Sequence, residues 1–418
     1  MKHREISGKD EGLPLEKNMD WEKISTELST DTPSKIILLV MDGLGGLPRN
    51  GKTALEAALT PHLDNLAAKS ACGLSEPVFM GITPGSGPAH LSLFGYDPLK
   101  HTLGRGILEA LGLGVEVGKN DMVARGNFAT HKENMITDRR AGRIPTSENV
   151  LLCEKINAFL ESREEPRIRV YPGKEHRFVV KFSGENLCDA LSDADPQKEN
   201  KPRAYTQPLD DEAQKTAQVV NSFLDDLTDF LKDSAPANTA LLRGFSKHPS
   251  LPSMQDLYKI RPVALANYPM YKGLAKLIGM AIVDAGPEIE DLFDALDDIY
   301  SDYNFFYIHV KKPDAAGEDG NYDAKKAAIE ETDTYIPRLM GKNSDVLVVT
   351  SDHSTPSSLK SHSWHPNPFI LYAPTAMPDA VVRFSERTCS QGYLGRFQAI
   401  YAMPLMLAHA GKLKKYGA

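Results

Sequence analysis

Three short runs in this chain are almost wholly apolar and end beside acids or histidines: Lys35-Ile-Ile-Leu-Leu-Val-Met-Asp42, Phe305 to Val310, and Val346 to Thr350. A strand with one wet face alternates apolar and polar residues; a strand without that alternation is buried on both faces. Such strands need helices on each side of their sheet. Segments with helical spacing are present: Leu55, Leu59, Leu63 and Leu66 between Thr53 and Ser70, then Ile289 to Ile299, then Tyr322 to Met340. Pro61 is expected to split the first into two short helices. The pattern predicts an α/β fold whose sheet is mostly parallel, with helices on both faces.

The middle of the chain has another character. Alternating strands (Arg167 to Tyr171, Arg177 to Phe182), a polar stretch from Ser192 to Arg203 and a long amphipathic helix from Asp210 to Lys232 replace the all-apolar runs. At 418 residues two domains are expected, since a domain takes roughly 100–200. The expected division is an N-terminal extension over 1–34 with a short helix around Trp21 to Leu28, a split domain over 35–117 and 265–418, and an inserted α+β domain over 118–264. Ordinary composition (41% hydrophobic, 25% charged) excludes collagen-like, coiled-coil and wholly disordered chains. A net charge of −8 argues against a nucleic-acid-coating protein, while leaving room for a local cationic pocket. Cys72, Cys153, Cys188 and Cys389 form no C-x-x-C pair, and scattered free thiols suit a reducing compartment. No apolar targeting core lies between Met1 and Asp31 and no membrane-length apolar window occurs, so the cytoplasm is the expected location and no membrane partner is expected.

Gly46-Leu-Pro-Arg-Asn-Gly51-Lys52-Thr53 matches the phosphate-binding P-loop pattern between a strand and a helix. Two observations weigh against it. The strand ends at Asp42, with three residues before Gly46. The motif also leaves unexplained the Ser/Gly turn at Ser86 and the histidines near the C-terminus. The competing reading is a surface turn with a helix start at Thr53.

Ligands of an open α/β sheet bind at the carboxyl ends of its strands. Asp42 closes the first strand, Asp314 follows the turn after Val310, and Asp352 and His353 follow Thr350. His362 and His365 come before a further apolar strand, Pro368 to Tyr372. Each alone is more often a helix cap or a loop residue; together, carboxylates and imidazoles at one sheet edge suit two divalent ions such as Mn²⁺, Zn²⁺ or Mg²⁺. In Gly81-Ile-Thr-Pro-Gly-Ser86-Gly-Pro-Ala-His90, stiff prolines and flanking glycines present Ser86 at the start of a helix. That is either a plain helix cap or, with metals nearby to lower the hydroxyl pKa, a nucleophile.

Val40-Met-Asp42-Gly-Leu-Gly, Thr83-Pro-Gly-Ser86-Gly-Pro-Ala-His90, Lys311-Lys-Pro-Asp314-Ala-Ala-Gly, Ser351-Asp352-His353-Ser-Thr-Pro and Ser361-His362-Ser resemble the archaeal-type, cofactor-independent phosphoglycerate mutases of the alkaline phosphatase superfamily. The resemblance runs from about Lys35 to the C-terminus. It implies an alkaline-phosphatase-like domain with an inserted cap and a two-metal site, with Mn, Mg, Co or Zn as the ions. Asp42, Ser86, Asp352 and His353 resemble the ligands of one ion, and Asp314 and His362 those of the other. Where many relatives carry His, this chain has Glu318, so Glu318, Asp319 or His365 completes the second shell.

The implied reaction interconverts 3-phosphoglycerate and 2-phosphoglycerate through a phosphoserine on Ser86, without 2,3-bisphosphoglycerate. A carboxylate and a phosphate on one small substrate call for cations, and bidentate Arg suits both. The candidates are Arg125, Arg139, Arg140, Arg143, Arg243 and Arg261, with Arg125, Arg143, Arg243 and Arg261 expected to bind substrate. Lys272 resembles the lysine near the transferred phosphoryl group. The alternatives are another metal-dependent phosphatase or phosphomutase of the superfamily, a P-loop nucleotide-binding protein using Gly46 to Thr53, and a catalytically dead relative.

Overall fold

The computed structural model describes residues 21–161 and 167–417. The first twenty positions of the expected extension lie outside the described residues. From there a helix covers Trp21–Leu28, and the chain then bridges to the C-terminus through Ser29 and Leu413.

Fourteen strands in the described residues form two sheets. The large one contains β1 (Ile36–Met41), β2 (Ala71–Glu76), β9 (Pro262–Ala266), β10 (Ala281–Val283), β11 (Phe305–Val310), β12 (Val346–Thr350), β13 (Asn367–Tyr372) and β14 (Gly395–Gln398), in the order β10-β9-β11-β1-β12-β13-β2-β14. Every neighbouring pair is parallel except those made by β13, which runs against both β12 and β2. The other sheet is antiparallel: β3 (Asp121–Lys132), β4 (Met135–Asp138), β5 (Arg167–Pro172), β6 (Arg177–Ser183), β7 (Lys201–Pro202) and β8 (Thr239–Lys247), with β3 at its centre.

β1 shows why unbroken apolar runs were required. Ile37, Leu39 and Met41 pack with Leu55, Leu63, Phe293 and Ile329 on one face. Ile36, Leu38 and Val40 pack with Phe94, Tyr258, Met403 and Leu407 on the other. The second sheet has its own core, where Phe128, Phe178 and Phe182 meet the helices Thr146–Leu160 and Gln214–Leu231.

Local chemistry sets the helix limits. The segment after Thr53 is two helices, Ala54–Ala57 and Pro61–Ala67, the first fixed by a reciprocal Thr53–Glu56 cap and the second started by Pro61. The helix expected over Tyr322 to Met340 breaks into Tyr322–Asp333 and Ile336–Gly341, because Pro337 cannot continue a helix that already runs through it. The helix expected from Asp210 starts at Gln214: the Asp210 carboxylate accepts the Ala213 N–H at 2.8 Å and turns the chain first. The division expected between 264 and 265 falls inside β9, which pairs along its length with β11. The large sheet thus claims the chain from Pro262.

Candidate functional site

The segment Gly46 to Thr53 is no phosphate cradle. Arg49 and Lys52 bond each other's backbone (N–H to O, 2.8 and 3.3 Å) around Asn50 and Gly51, both at positive φ. The Lys52 side chain is exposed. Thr53 caps only a four-residue helix and donates its hydroxyl to Glu386 at 2.8 Å. The P-loop reading is therefore set aside in favour of the surface turn.

The carboxyl edge of the large sheet gathers a different set. Asp42 leaves β1 with its carboxylate fully buried. Its Oδ2 accepts from His309 Nε2 at 3.0 Å and from Lys311 Nζ at 3.1 Å. Asp352, just past β12, accepts the Gly43 N–H on Oδ1 at 3.2 Å. Asp42 Oδ1 and Asp352 Oδ2 are buried without a hydrogen-bond partner, and they lie 3.5 and 3.1 Å from His353 Nε2. Ser86 Oγ stands 3.2 Å from the same nitrogen. Ser86 is no plain cap: Gly85 is the N-cap of helix Ser86–Leu93 and no side chain caps that end.

A second group sits beside the first. Asp314 Oδ1 and Glu318 Oε1 lie 3.9 and 3.8 Å from His362 Nε2. Asp314 and Glu318 share one helix, Lys312–Glu318, at a spacing that puts them on one face. The His362 Nδ1–H donates to Pro84 O at 3.0 Å, leaving Nε2 bare toward the acids. His353 is within ligand reach of both groups, and its hydrogen bonds decide between them. Thr355 Oγ1 donates to Asp314 Oδ1 at 2.5 Å, so it accepts from His353 Nδ1–H at 3.1 Å. The lone pair on Nε2 is then directed at the Ser86 group. Of the other candidates for the second shell, His365 turns to Ser363 Oγ at 2.9 Å; Asp319 and Glu318 are both exposed, and it is Glu318 that comes within 3.8 Å of His362.

The electrostatics want a cation. Burial alone would raise the Asp42 pKa, but the His309 hydrogen bond and the Lys311 charge hold it well below the usual carboxylate range. Burial, then the Asp42 and Asp314 charges, push Asp352 well above it. Burial, then Asp314, also raises Glu318. Burial disfavours the Lys311 ammonium, yet the charges of Asp42 and Asp314 more than offset it. Lys311 bonds two of three fully buried carboxylates, Asp42 and Asp314, and Asp352 makes no such contact with it. Buried charge without a counter-charge is expensive. The partnerless oxygens, bare imidazole nitrogens and hydroxyl fit divalent cations in kind.

Sequence reasoning passed over the layer behind this set. Lys311 also donates to Asp314 at 2.6 Å and to the Tyr271 hydroxyl at 3.1 Å. His309, in register with Val40 on β1, stacks on Tyr271 at 3.8 Å. His90, four residues after Ser86, donates Nδ1–H to Ser86 O at 2.9 Å and lies 3.3 Å from Asp352; burial lowers its pKa to about 3 and keeps it neutral. The available signals were the strand-end position of Lys311 and the helical spacing of His90 from Ser86.

Two expected residues are placed elsewhere. Lys272 pairs with exposed Asp284 at 2.6 Å and lines a cleft of about 810 Å³ with Val115, Lys181 and Ile282. It is Tyr271 on the same helix that turns inward, since consecutive helical residues point about 100° apart. Arg261 precedes β9 at the opposite end of the sheet, with Nε 3.3 Å from Asp302 O, and so lies away from the carboxyl-edge groups. Of the other arginines, Arg125 on β3 and Arg243 on β8 are directly paired across the strands, with Arg177 and Arg105 near enough to lower the Arg125 pKa after burial has done so. Arg243 Nε contacts Asp193 at 3.2 Å. Arg139 is held by both oxygens of Asp195 at 2.9 and 2.5 Å. Arg140 and Arg143 flank a turn fixed by Asp138, and Arg143 is exposed.

The sequence profile described as 2,3-bisphosphoglycerate-independent phosphoglycerate mutase matches residues 67–238. A relative in Thermosipho africanus, named a probable enzyme of that kind, is 54% identical over 96% of this chain and all of its own; one in Thermotoga maritima is 51% identical over 96% of this chain and all of its own. The solved structure of a cofactor-independent phosphoglycerate mutase from Thermoplasma acidophilum is 31% identical, with a TM-score of 0.74 over 90% of this chain and all of that one. This chain belongs to the family of 2,3-bisphosphoglycerate-independent phosphoglycerate mutases.

Proposed function

We propose that this chain interconverts 3-phosphoglycerate and 2-phosphoglycerate by passing the phosphoryl group through Ser86 at a two-metal site. The observation that carries the proposal is the convergence of Ser86 Oγ with two partnerless carboxylate oxygens on His353 Nε2. Asp42, Ser86, Asp352 and His353 would hold one ion, and Asp314, Glu318 and His362 the other. Divalent ions bound there would lower the hydroxyl pKa and neutralise charge on the phosphoryl oxygens.

The Ser86 hydroxyl attacks phosphorus in line. A Ser86 O–P bond forms as the P–O bond to the substrate breaks, and the hydroxyl proton goes to the departing oxygen. The glycerate then presents its other hydroxyl, which takes the phosphoryl group back by the reverse step. Arg125 and Arg243, with Arg177 and Arg105, supply the cations that hold the substrate's carboxylate and steer its turn. Water must be excluded while Ser86 is phosphorylated, or the product is inorganic phosphate. The small sheet and its helices suit a cap that closes for this purpose. The four cysteines carry no disulfide, which suits a cytoplasmic setting; among the described residues no helix is long and apolar enough to cross a membrane.

The test is one assay: 3-phosphoglycerate with Mn²⁺, Mg²⁺, Co²⁺ or Zn²⁺, without 2,3-bisphosphoglycerate, coupled to detection of 2-phosphoglycerate. Product with any of these ions supports the proposal, and none with all four overturns it. Inorganic phosphate in place of product would mark a phosphatase.

A further inference from the structure

Lys325 lies on helix Tyr322–Asp333, outside both ligand groups, and is 1% exposed. A buried lysine normally pairs with a carboxylate. This one donates instead to three carbonyls: Gly43 O at 2.6 Å, Thr355 O at 2.8 Å and Gly45 O at 2.9 Å. An ammonium has three N–H groups, so every donor is used. The carbonyls belong to two separate loops: Gly43 and Gly45 follow Asp42, and Thr355 follows Asp352 and His353. The Thr355 N–H already reaches back to Gly43 O and Gly45 O at 3.3 and 3.0 Å. The ammonium thus sits where the loops cross and draws both toward itself. The space is tight: a Cβ on Gly45 would meet Ser354 Oγ at 1.9 Å, and one on Gly317 would meet Thr355 O at 2.5 Å.

We propose that Lys325 is a positioning residue, an internal cation that locks the Asp42 loop to the Asp352–His353 loop so that the Ser86 group is preformed before any metal or substrate arrives. Its role rests on the two-metal reading for its effect on catalysis, but the lock itself does not. Without the ammonium, Thr355 O loses its donor and the loops are joined only by backbone N–H donors: Thr355 N–H to Gly43 O and Gly45 O, Gly43 N–H to Asp352 Oδ1 at 3.2 Å and Leu44 N–H to Ser351 Oγ at 2.9 Å. Asp42 and His353 then drift relative to one another, and misplacement of about 1 Å at such a site costs on the order of 10²-fold in rate.

The test compares wild type with Lys325→Gln, which keeps a shorter polar donor, and with Lys325→Ala supplied with propylammonium. In metal-free protein, hydrogen exchange of peptides covering 40–47 and 351–358 should quicken at least about tenfold in the Gln variant while β1 and β11 stay protected. Calorimetric titration with Mn²⁺ should show at least about tenfold weaker binding, and kcat should fall about 10²-fold with KM nearly unchanged. Propylammonium should restore part of each in the Ala variant. Unchanged exchange in these loops with unchanged Mn²⁺ affinity and kcat, or a fall in thermal stability alone, would overturn the proposal. If wild type itself binds no Mn²⁺, the two-metal reading fails while loop exchange still tests the lock. If the Ala variant does not fold, the Gln variant decides.

Discussion

The two ends of the large sheet carry similar charged residues and use them in opposite ways. At the amino end, Lys35 Nζ donates to Tyr300 O and Tyr303 O at 2.6 and 2.7 Å, Lys412 Nζ donates to Thr32 O at 2.7 Å, and Arg261 Nε to Asp302 O at 3.3 Å. The acids there, Asp302 and Asp345, are exposed to water. At the carboxyl end Asp42, Asp314 and Asp352 are sealed off, and two of their oxygens have no partner. Charge at a sheet edge is unremarkable when wet or matched. Buried and left short of counter-charge, it is costly, and that cost is what the proposed metal ions would relieve.

Four experiments bear on that contrast, the largest expected effect first. Ser86→Ala should remove mutase turnover, a loss of more than about 10⁴-fold in kcat, measured in the coupled assay; substantial residual turnover would break the assignment of the carboxyl edge as the site. Chelation by EDTA should abolish activity and lower the midpoint of urea unfolding, with Mn²⁺ at a hundred times its Kd restoring about 2.7 kcal/mol. A midpoint indifferent to Mn²⁺ would mean that the buried acids find their counter-charge elsewhere. Arg243→Ala should raise KM about 10- to 100-fold through lost charge-assisted hydrogen bonds, whereas Arg261→Ala at the amino end should leave KM within about twofold. Equal effects would erase the difference between the paired arginines of the small sheet and the amino end of the large one. Lys52→Ala should be silent in turnover and within about 0.5 kcal/mol in stability, as fits an exposed turn.

The sheet was legible because apolar runs have no other way to be buried. Asp42, Asp352 and His353 were legible because a residue directly after such a strand must emerge at its carboxyl end. Lys272 was misplaced because helix phase, not sequence neighbourhood, decides which of Tyr271 and Lys272 faces inward. Arg261 was misplaced because Pro262 to Ala266 did not read as a strand and the residue was counted with the insert; directly before a strand parallel to β11, it emerges at the amino end. Lys325 left no trace at all, since a lysine on a helix of mixed polarity reads as solvent-facing. Its carbonyl partners come from chain about 280 residues and 30 residues away.

The reversed direction of β13 has a consequence for how the site is wired. A parallel strand after β12 would need a crossover to the far end of the sheet before turning back. An antiparallel one lets the connection leave β12 and enter β13 at the same edge. That connection is an arch with both footings on one wall. Its first footing carries Asp352 and His353, its return carries His362, and the two imidazoles stack at 3.6 Å across its span. Two imidazoles that face different acids are thereby held at a separation set by ring thickness, in a stretch of chain that never crosses the sheet.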